Sequence, residues 1–204
     1  AVVMGIAGAK RVFALMDEMK EEDSGHIRLV SVKDMDGELV ETTDRTEMWA
    51  WKEVKEDGTV VLKRLLGDVE LRDVDFSYDG NRMILKGINV FAHPGEKVAF
   101  VGATGAGKTT ITNLLNRFYR IQKGEIIYDG FDVYDICLGD LRRSLGIILQ
   151  DTVLFTGTVM ENIRYGKLDA SDEECIAAAR LAGADDFITR LPNGYDTELS
   201  GNGG

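Results

Sequence analysis

The stretch VGATGAGKTT at positions 101–110 combines bare backbone with side chains that favour phosphate. Within it Gly102, Gly107, Lys108 and Thr109 match the pattern G-x-x-x-x-G-K-[ST]. Glycines let a chain curl so that successive N–H groups point inward at phosphate oxygens, and a following helix adds its positive N-terminal end. Lys108 can reach the outer phosphates, and the Thr109 hydroxyl can ligate Mg²⁺. These residues predict a site for a nucleoside triphosphate.

The segments around this glycine loop are those that such a site requires. Positions 97–101 are mostly apolar and predict a parallel strand covered on both sides, and positions 108–119 predict a helix. The loop between them would also line the nucleotide with Thr104, Gly105 and Ala106, and the start of the helix would do so with Thr110. The alternative interpretation is a glycine-rich loop that only turns the chain.

The composition excludes several other kinds of protein. The chain has 204 residues, 44% of them hydrophobic and 29% charged, with two prolines, which is typical of a folded globular protein and not of a disordered tail. Its net charge of −11, with no local basic patch, argues against a nucleic-acid partner. Cys137 and Cys175 are far apart and have no neighbouring histidine, so they are predicted to be isolated core thiols and not a metal or redox pair.

The part of the chain before the loop divides into two predicted segments. Residues 1–25 form an amphipathic helix and a linker. The apolar start of the chain ends at Lys10 and Arg11. This pattern is typical of the cytoplasmic end of a membrane helix, and the alternative interpretation is the start of an ordinary helix. Residues 26–66 predict a small antiparallel meander, with hairpin turns at two Asp-Gly pairs and with both tryptophans on one face of a strand.

Residues 67–204 alternate between strand and helix patterns. A strand with a bulge near Arg72 and Asp73 is followed by a partner strand, the glycine loop, the strands EIIYDG and GIILQ, a short helix near 140 and helices near 158–164, 172–182 and 184–190. Ser171 and Glu174 form a capping box for the helix at 172–182. This order of elements indicates an α/β fold of the P-loop NTPase type.

Three quoted segments then specify a family. VDFSYDG, GEKVAFVGATGAGKTTITNLLNRFY and KGEIIYDGFDVYDICLGDLRRSLGIILQDTVLFTGTVMENIRYG closely resemble the nucleotide-binding domain of an ATP-binding cassette exporter, over about residues 68–199. GAKRVFALMDE likewise resembles the segment that leads from the last transmembrane helix of such exporters into this domain. The resemblance implies a P-loop NTPase domain with a small antiparallel β subdomain and a helical subdomain. It also favours the membrane-helix interpretation of the N-terminal start.

The resemblance assigns further site residues. It makes Tyr78 the aromatic residue that stacks on adenine, with Ile84 on the same face. Gln150, which follows Lys108 by 42 positions (150 − 108), corresponds to the family's glutamine that completes the Mg²⁺ shell and senses the γ-phosphate. Residues 151–160 would meet the membrane domain.

The function implied is that of an ATP-hydrolysing motor with ATP and Mg²⁺ as cofactors. Two such domains close head to tail over two ATP molecules and drive the transmembrane domains, at the cytoplasmic face of the cell membrane. Residues 1–204 do not contain the family's signature sequence, Asp-Glu strand or switch histidine. We therefore expect a bare strand edge, and ATP binding that is weakened by the absent metal carboxylate, with negligible turnover by this chain alone.

Two other classes remain as alternatives. One is a non-hydrolysing nucleotide-binding or interaction module. The other is a small-molecule or nucleotide kinase, which needs a lid rich in arginine, and the sequence DLRRSLG offers only Arg142 and Arg143.

Overall fold

The computed structural model describes residues 2–44, 46–148 and 153–201. Contacts within the chain divide it into two compact units, Ala1–Gly146 and Ile147–Gly204. The glycine loop, Tyr78 and Ile84 all belong to the first unit. Gln150 lies outside the described residues.

The chain begins with helix α1 (Val2–Met16) and continues through a linker. From Gly8 onward the side chains of this helix are exposed, including Phe13 and Met16 at 60% and 70%. Among the described residues, no helix combines the length and the apolar character that crossing a membrane demands. Polar contacts tie the linker to the rest of the first unit. The closest of them are two bonds of 2.6 Å from the Arg142 guanidinium to the Glu21 carboxylate.

The first sheet contains β1 (Arg28–Met35), β2 (Glu38–Glu41), β3 (Trp49–Val54) and β4 (Val60–Arg64), all antiparallel, in the order β2-β1-β3-β4. Both predicted hairpins are present: β1 turns into β2 through Asp36 and Gly37, and β3 turns into β4 around Gly58. The predicted meander is wrong in its strand order, since β3 pairs with β1 and not with β2. That pairing places Leu29 opposite Trp51, both of them buried, whereas β2 carries no fully buried residue.

The second sheet contains β5 (Val69–Phe76), β6 (Leu85–Ala92), β7 (Lys123–Tyr128) and β8 (Phe131–Asp132), again antiparallel, in the order β6-β5-β7-β8. The predicted bulge lies in β5, where the register shifts between Leu71 and Val74 and Asp73 has a φ of 47°. Opposite the bulge lies Gly124, whose φ is 90°. A Cβ on Gly124 would lie 2.4 Å from the Arg72 carbonyl oxygen, so only glycine fits there.

The two sheets share one hydrophobic core. Its buried members are Ile27, Leu29, Trp51, Leu71, Val74, Phe76, Leu85, Ile111, Leu114, Ile126, Tyr128, Val133, Ile136 and Leu141. Trp49 packs against the same core, which confirms that both tryptophans face one side of their strand. The Trp51 indole N–H donates to the buried Asp129 carboxylate at 2.9 Å, and its ring meets the edge of Tyr128 at 5.6 Å.

Two predicted strands, at 97–101 and in GIILQ, do not form within the described residues. Residues 97–101 pair with no described strand, and Val98, Phe100 and Val101 are 46%, 38% and 95% exposed. Residues 145–148 are likewise unpaired, with Ile148 at 95%, and the rest of GIILQ lies outside the described residues. An apolar run becomes a buried strand only when neighbouring strands satisfy its backbone, and the described residues provide none for these two.

The helices of the first unit are α2 (Lys108–Leu115) and α3 (Leu138–Ser144). Helix α2 is shorter than the predicted 108–119. It stops because Arg117 has a left-handed φ of 53°, which reverses the chain.

The second unit contains β9 (Gly157–Thr158), α4 (Val159–Arg164), α5 (Asp172–Leu181), α6 (Asp185–Ile188), a 3₁₀ turn (Gly194–Asp196) and β10 (Glu198–Leu199). The capping box of Ser171 and Glu174 is confirmed at the start of α5. Cys175 is a buried thiol, as predicted. Cys137, in the first unit, is only half-buried and donates its S–H to the Gly25 carbonyl, so it is not a core thiol.

Candidate functional site

The glycine loop presents a row of backbone N–H groups at the start of α2. Gly105 and Gly107 have φ values of 82° and 87°, in the left-handed region that favours glycine. Gly107 is the N-cap of α2 and offers no side chain to its first turn. Because the first N–H groups of a helix have no intrahelical acceptor, this end of α2 is available to an anion.

Gly107 also fixes where the loop lies. A Cβ at this position would come within 2.7 Å of Leu85 Cδ2 and 3.4 Å of Ile84 Cγ2. The loop therefore packs directly on the start of β6, and the absence of a side chain permits that approach. As a result the predicted base-contacting residue Ile84 lies beside the predicted phosphate loop.

Lys108 curls back over the loop. Its Nζ donates to the carbonyl oxygens of Gly102 and Ala103, each at 2.8 Å. These bonds hold the ammonium group against the backbone of the glycine loop. The arrangement concentrates positive charge at one end of α2, as phosphate binding requires.

The two threonines that follow the lysine have different surroundings. Thr109 is exposed, which leaves its hydroxyl accessible to a metal ion. Thr110 is only 5% exposed, and its hydroxyl lies 3.1 Å from the Tyr78 hydroxyl in a hydrogen bond that either group can donate. The Thr110 side chain therefore faces Tyr78 and not solvent, so its predicted contribution to nucleotide binding falls to its backbone N–H.

Tyr78 belongs to a cluster of three aromatic rings. Its ring meets Phe76 at 4.8 Å and 84°, and Tyr119 at 4.8 Å and 87°, both in edge-to-face geometry. Tyr78 remains 50% exposed, so part of its ring is open to a ligand. Sequence reasoning missed Tyr119, although the adjacent aromatic residues Phe118 and Tyr119 were a signal available to it.

The turn that carries Tyr78 is held by Asp79 and Gln122. One Asp79 carboxylate oxygen accepts from the backbone N–H groups of Arg82 and Asn81 and from the Ser77 hydroxyl, at 2.9 to 3.0 Å. These bonds, that from Arg82 first, hold the pKa of Asp79 below its ordinary value. The Gln122 amide accepts from Ser77 N–H at 2.7 Å and donates to its carbonyl at 3.0 Å.

Most of the predicted site residues thus come together in the first unit. Tyr78, Ile84, Gly107, Lys108 and Thr110 are connected by the contacts above. The loop residues Thr104, Gly105 and Ala106 are exposed. Gln150 is outside the described residues, so its predicted roles stay predictions. The described part of the chain has no group of three His, Cys, Asp or Glu side chains arranged to hold a metal ion.

These features define a class of protein, an α/β P-loop NTPase domain. The chain matches a bacterial Atm1-family ABC exporter, solved with ATP bound, at a TM-score of 0.63 and 47% identity over 67% of this chain and 24% of that one. The domain therefore has the fold of an ABC nucleotide-binding domain.

Sequence comparison gives the family. The profile of the family described as ABC transporter matches residues 85–203, and the chain belongs to that family. It is 42% identical over 99% of its length to the ABC transporter ATP-binding protein YfiC of Bacillus subtilis, and 40% identical over 97% to the ATP-dependent lipid A-core flippase of Syntrophus aciditrophicus. It spans 28% of the length of each.

Proposed function

We propose that this chain is the ATP-binding and ATP-hydrolysing motor domain of a membrane exporter. The observation that carries the proposal is the packing of the glycine loop on Ile84 and Leu85, beside a half-exposed Tyr78. A phosphate-binding backbone and a face for a base thus lie on neighbouring residues. The family membership and the flippase among the relatives support the assignment to transport.

ATP fits the two halves of this site. The adenine base would stack on the open part of Tyr78, with Ile84 on the same side. The phosphates would accept hydrogen bonds from the loop and from the first turn of α2. To bind them, Lys108 exchanges its bonds to the Gly102 and Ala103 carbonyls for bonds to phosphate oxygens.

Mg²⁺ fits the same site through oxygen ligands. The exposed Thr109 hydroxyl is an oxygen of the kind Mg²⁺ prefers, and Gln150 is the second ligand we propose. A bound Mg²⁺ ion neutralises charge that develops on the phosphates. Lys108 adds a second positive charge, and we assign it and Gln150 to the catalytic machinery.

The partners we propose are a second nucleotide-binding domain and the transmembrane domains of the exporter, which places the chain at the cytoplasmic face of the cell membrane. In the second unit Phe155 and Tyr165 form an exposed aromatic pair, with ring centroids 4.5 Å apart and exposures of 50% and 62%. Phe155 lies in the segment 151–160 predicted to meet the membrane domain. Exposed aromatic pairs are enriched at protein interfaces, and this one supports that contact.

The first test is a titration of residues 1–204 with a fluorescent ATP analogue, with and without Mg²⁺. We expect saturable binding that Lys108→Ala weakens by about ten- to a hundredfold, since a hydrogen bond to a charged group contributes about 1.5–3 kcal/mol. The matched control is Lys33→Ala, which removes an exposed lysine from β1, in the sheet that does not contain β6. Equal binding by Lys108→Ala and the native chain would refute the proposed phosphate site.

Hydrolysis is measured on the full-length exporter that contains this domain. We expect phosphate release there to be lost in the Lys108→Ala variant, and residues 1–204 alone to release negligible phosphate. ATP binding by the exporter without phosphate release would instead support the alternative, a non-hydrolysing nucleotide-binding module.

A further inference from the structure

The segment that follows α2 lies against the residues that carry Tyr78. Tyr119 meets the Tyr78 ring, and Gln122 holds the backbone of Ser77 through two hydrogen bonds. Neither residue belongs to the glycine loop, and the family resemblance assigns neither of them to base stacking. Both residues contact the segment Ser77–Tyr78, which directly follows β5.

The end of α2 explains how Tyr119 reaches that position. Arg117 N–H bonds to the Leu114 carbonyl at 2.9 Å and Phe118 N–H to the Asn113 carbonyl at 3.0 Å, which is the Schellman pattern. Arg117 occupies the left-handed position, with φ of 53°, where glycine is usual. The turn sends the next residues back towards β5, and Tyr119 is the second of them.

The Arg117 side chain holds this strained turn in place. It is nearly buried, at 7% exposure, and donates to the carbonyl oxygens of Val133 and Ile136 at 3.1 and 2.7 Å. A non-glycine residue in a left-handed conformation costs about 1–2 kcal/mol, and these two bonds offset that cost. The position of Tyr119 is therefore defined by the fold and not by a free surface loop.

We propose that Tyr119 and Gln122 are positioning residues that set the Tyr78 ring for the nucleotide base. This inference rests on the proposed function. Tyr119 restrains the ring by its edge-to-face contact, and Gln122 restrains the backbone one residue earlier. A stacking platform held before the ligand arrives loses less conformational entropy on binding.

The arrangement joins the two subsites through α2. Thr110, in the first turn of this helix, bonds to the Tyr78 hydroxyl, and Tyr119 contacts the Tyr78 ring from beyond its last turn. The helix that binds the phosphates thus contacts the base platform from both of its ends. Tyr119 and Gln122 contact only the residues of the base platform, so their loss should affect base stacking and not phosphate binding.

The test separates the base from the phosphates by comparing Mg²⁺-ATP with Mg²⁺-tripolyphosphate on residues 1–204. We expect Tyr119→Leu to weaken ATP binding by about three- to tenfold, the range for losing an edge-to-face aromatic pair, and to leave tripolyphosphate binding unchanged. Tyr119→Phe keeps the ring and should bind both ligands as the native chain does. The matched control is Phe91→Leu, which removes an exposed ring that has its own aromatic neighbour, His93.

Gln122→Ala provides an independent variant. It should also weaken ATP binding and spare tripolyphosphate, and it keeps the inference testable if circular dichroism shows that Tyr119→Leu does not fold. The inference is overturned if neither variant changes the affinity for ATP, or if both ligands weaken together. If the native chain binds neither ligand, the proposed function fails as well; if it binds both equally tightly, only the base platform is refuted.

Discussion

Two neighbouring threonines show how a single position on a helix decides a side chain's role. Successive residues on an α-helix point about 100° apart, so Thr109 faces solvent while Thr110 faces Tyr78. Their identical hydroxyl groups have different roles in our proposal. Thr109 is a metal ligand, and Thr110 anchors the base platform. At the same scale, Asp79 uses one carboxylate oxygen to hold three donors of the turn that carries Tyr78.

Asp79→Asn gives a prediction about pH at this scale. The turn's donors favour the charged carboxylate and hold its pKa in the folded chain below the ordinary value of 3.8. A group with a lowered folded-state pKa stabilises the fold above its unfolded pKa and loses that effect as the pH falls through the folded one. We expect a higher Tm for the native chain than for the variant at about pH 6, and a gap that narrows below about pH 4.

Thermal unfolding of both proteins across that range is the measurement. The difference in Tm between the two proteins reports on Asp79 alone, because the other carboxylates titrate alike in both proteins. A gap that stayed constant down to about pH 3 would contradict the role given to this carboxylate.

At the scale of elements, the bulge in β5 requires a matching feature in its partner strand. The extra residue at Asp73 pushes backbone towards β7, and Gly124 accommodates it with a positive φ and no side chain. The bulge, in turn, lets β5 bend around the core before it reaches Phe76 and Tyr78. The geometry of the base platform therefore begins several residues earlier, in the sheet.

Gly124→Ala should destabilise the first unit by about 2–4 kcal/mol, since its Cβ would meet backbone atoms and its φ is unfavourable for alanine. Gly139→Ala is the matched control: a Cβ there has no neighbour within 4 Å, and its position in α3 favours alanine. Urea unfolding of the two variants and the native chain measures the difference. Equal stability of both variants would show that the sheet relaxes around the bulge.

At the scale of the first unit, the sheet of residues 28–64 is part of the same core as β6 and α2. Trp51 is fully buried between the two sheets, and Asp129 accepts from its indole and from the backbone N–H groups of Leu66 and Asp68. Removing a donor from a buried carboxylate is costly, so these bonds tie the first sheet to the second. We expect the two sheets to unfold together.

Both tryptophans of the chain lie in β3, which makes their fluorescence a probe of the first sheet alone. If the sheets form one cooperative unit, ATP bound at the glycine loop should raise the urea midpoint of the tryptophan signal. At a hundredfold excess over Kd the added stability is about 2.7 kcal/mol. Lys108→Ala, with its ten- to a hundredfold weaker binding, should gain only about 0.4–1.4 kcal/mol at the same ATP concentration. An unshifted signal in the native chain, with ATP bound, would mean that the first sheet unfolds separately.

Local signals predicted the local structure of this chain well. The two Asp-Gly hairpins, the β5 bulge and the capping box of α5 each depend on a few adjacent residues, and all are present. The strand order of the first sheet and the end of α2 were predicted wrongly. Both depend on distant partners, the buried pair of Leu29 and Trp51 in one case and the carbonyls that anchor Arg117 in the other.

The same division holds for the site. The sequence by itself determined the glycine loop, because a glycine pattern followed by lysine and threonine specifies backbone conformation and charge within ten residues. Only the tertiary structure decided that Thr110 turns inward, that Tyr119 and Gln122 support Tyr78, and that residues 97–101 are exposed. These features arise where segments far apart in the chain meet, and packing between such segments has no signature in the local order of residues.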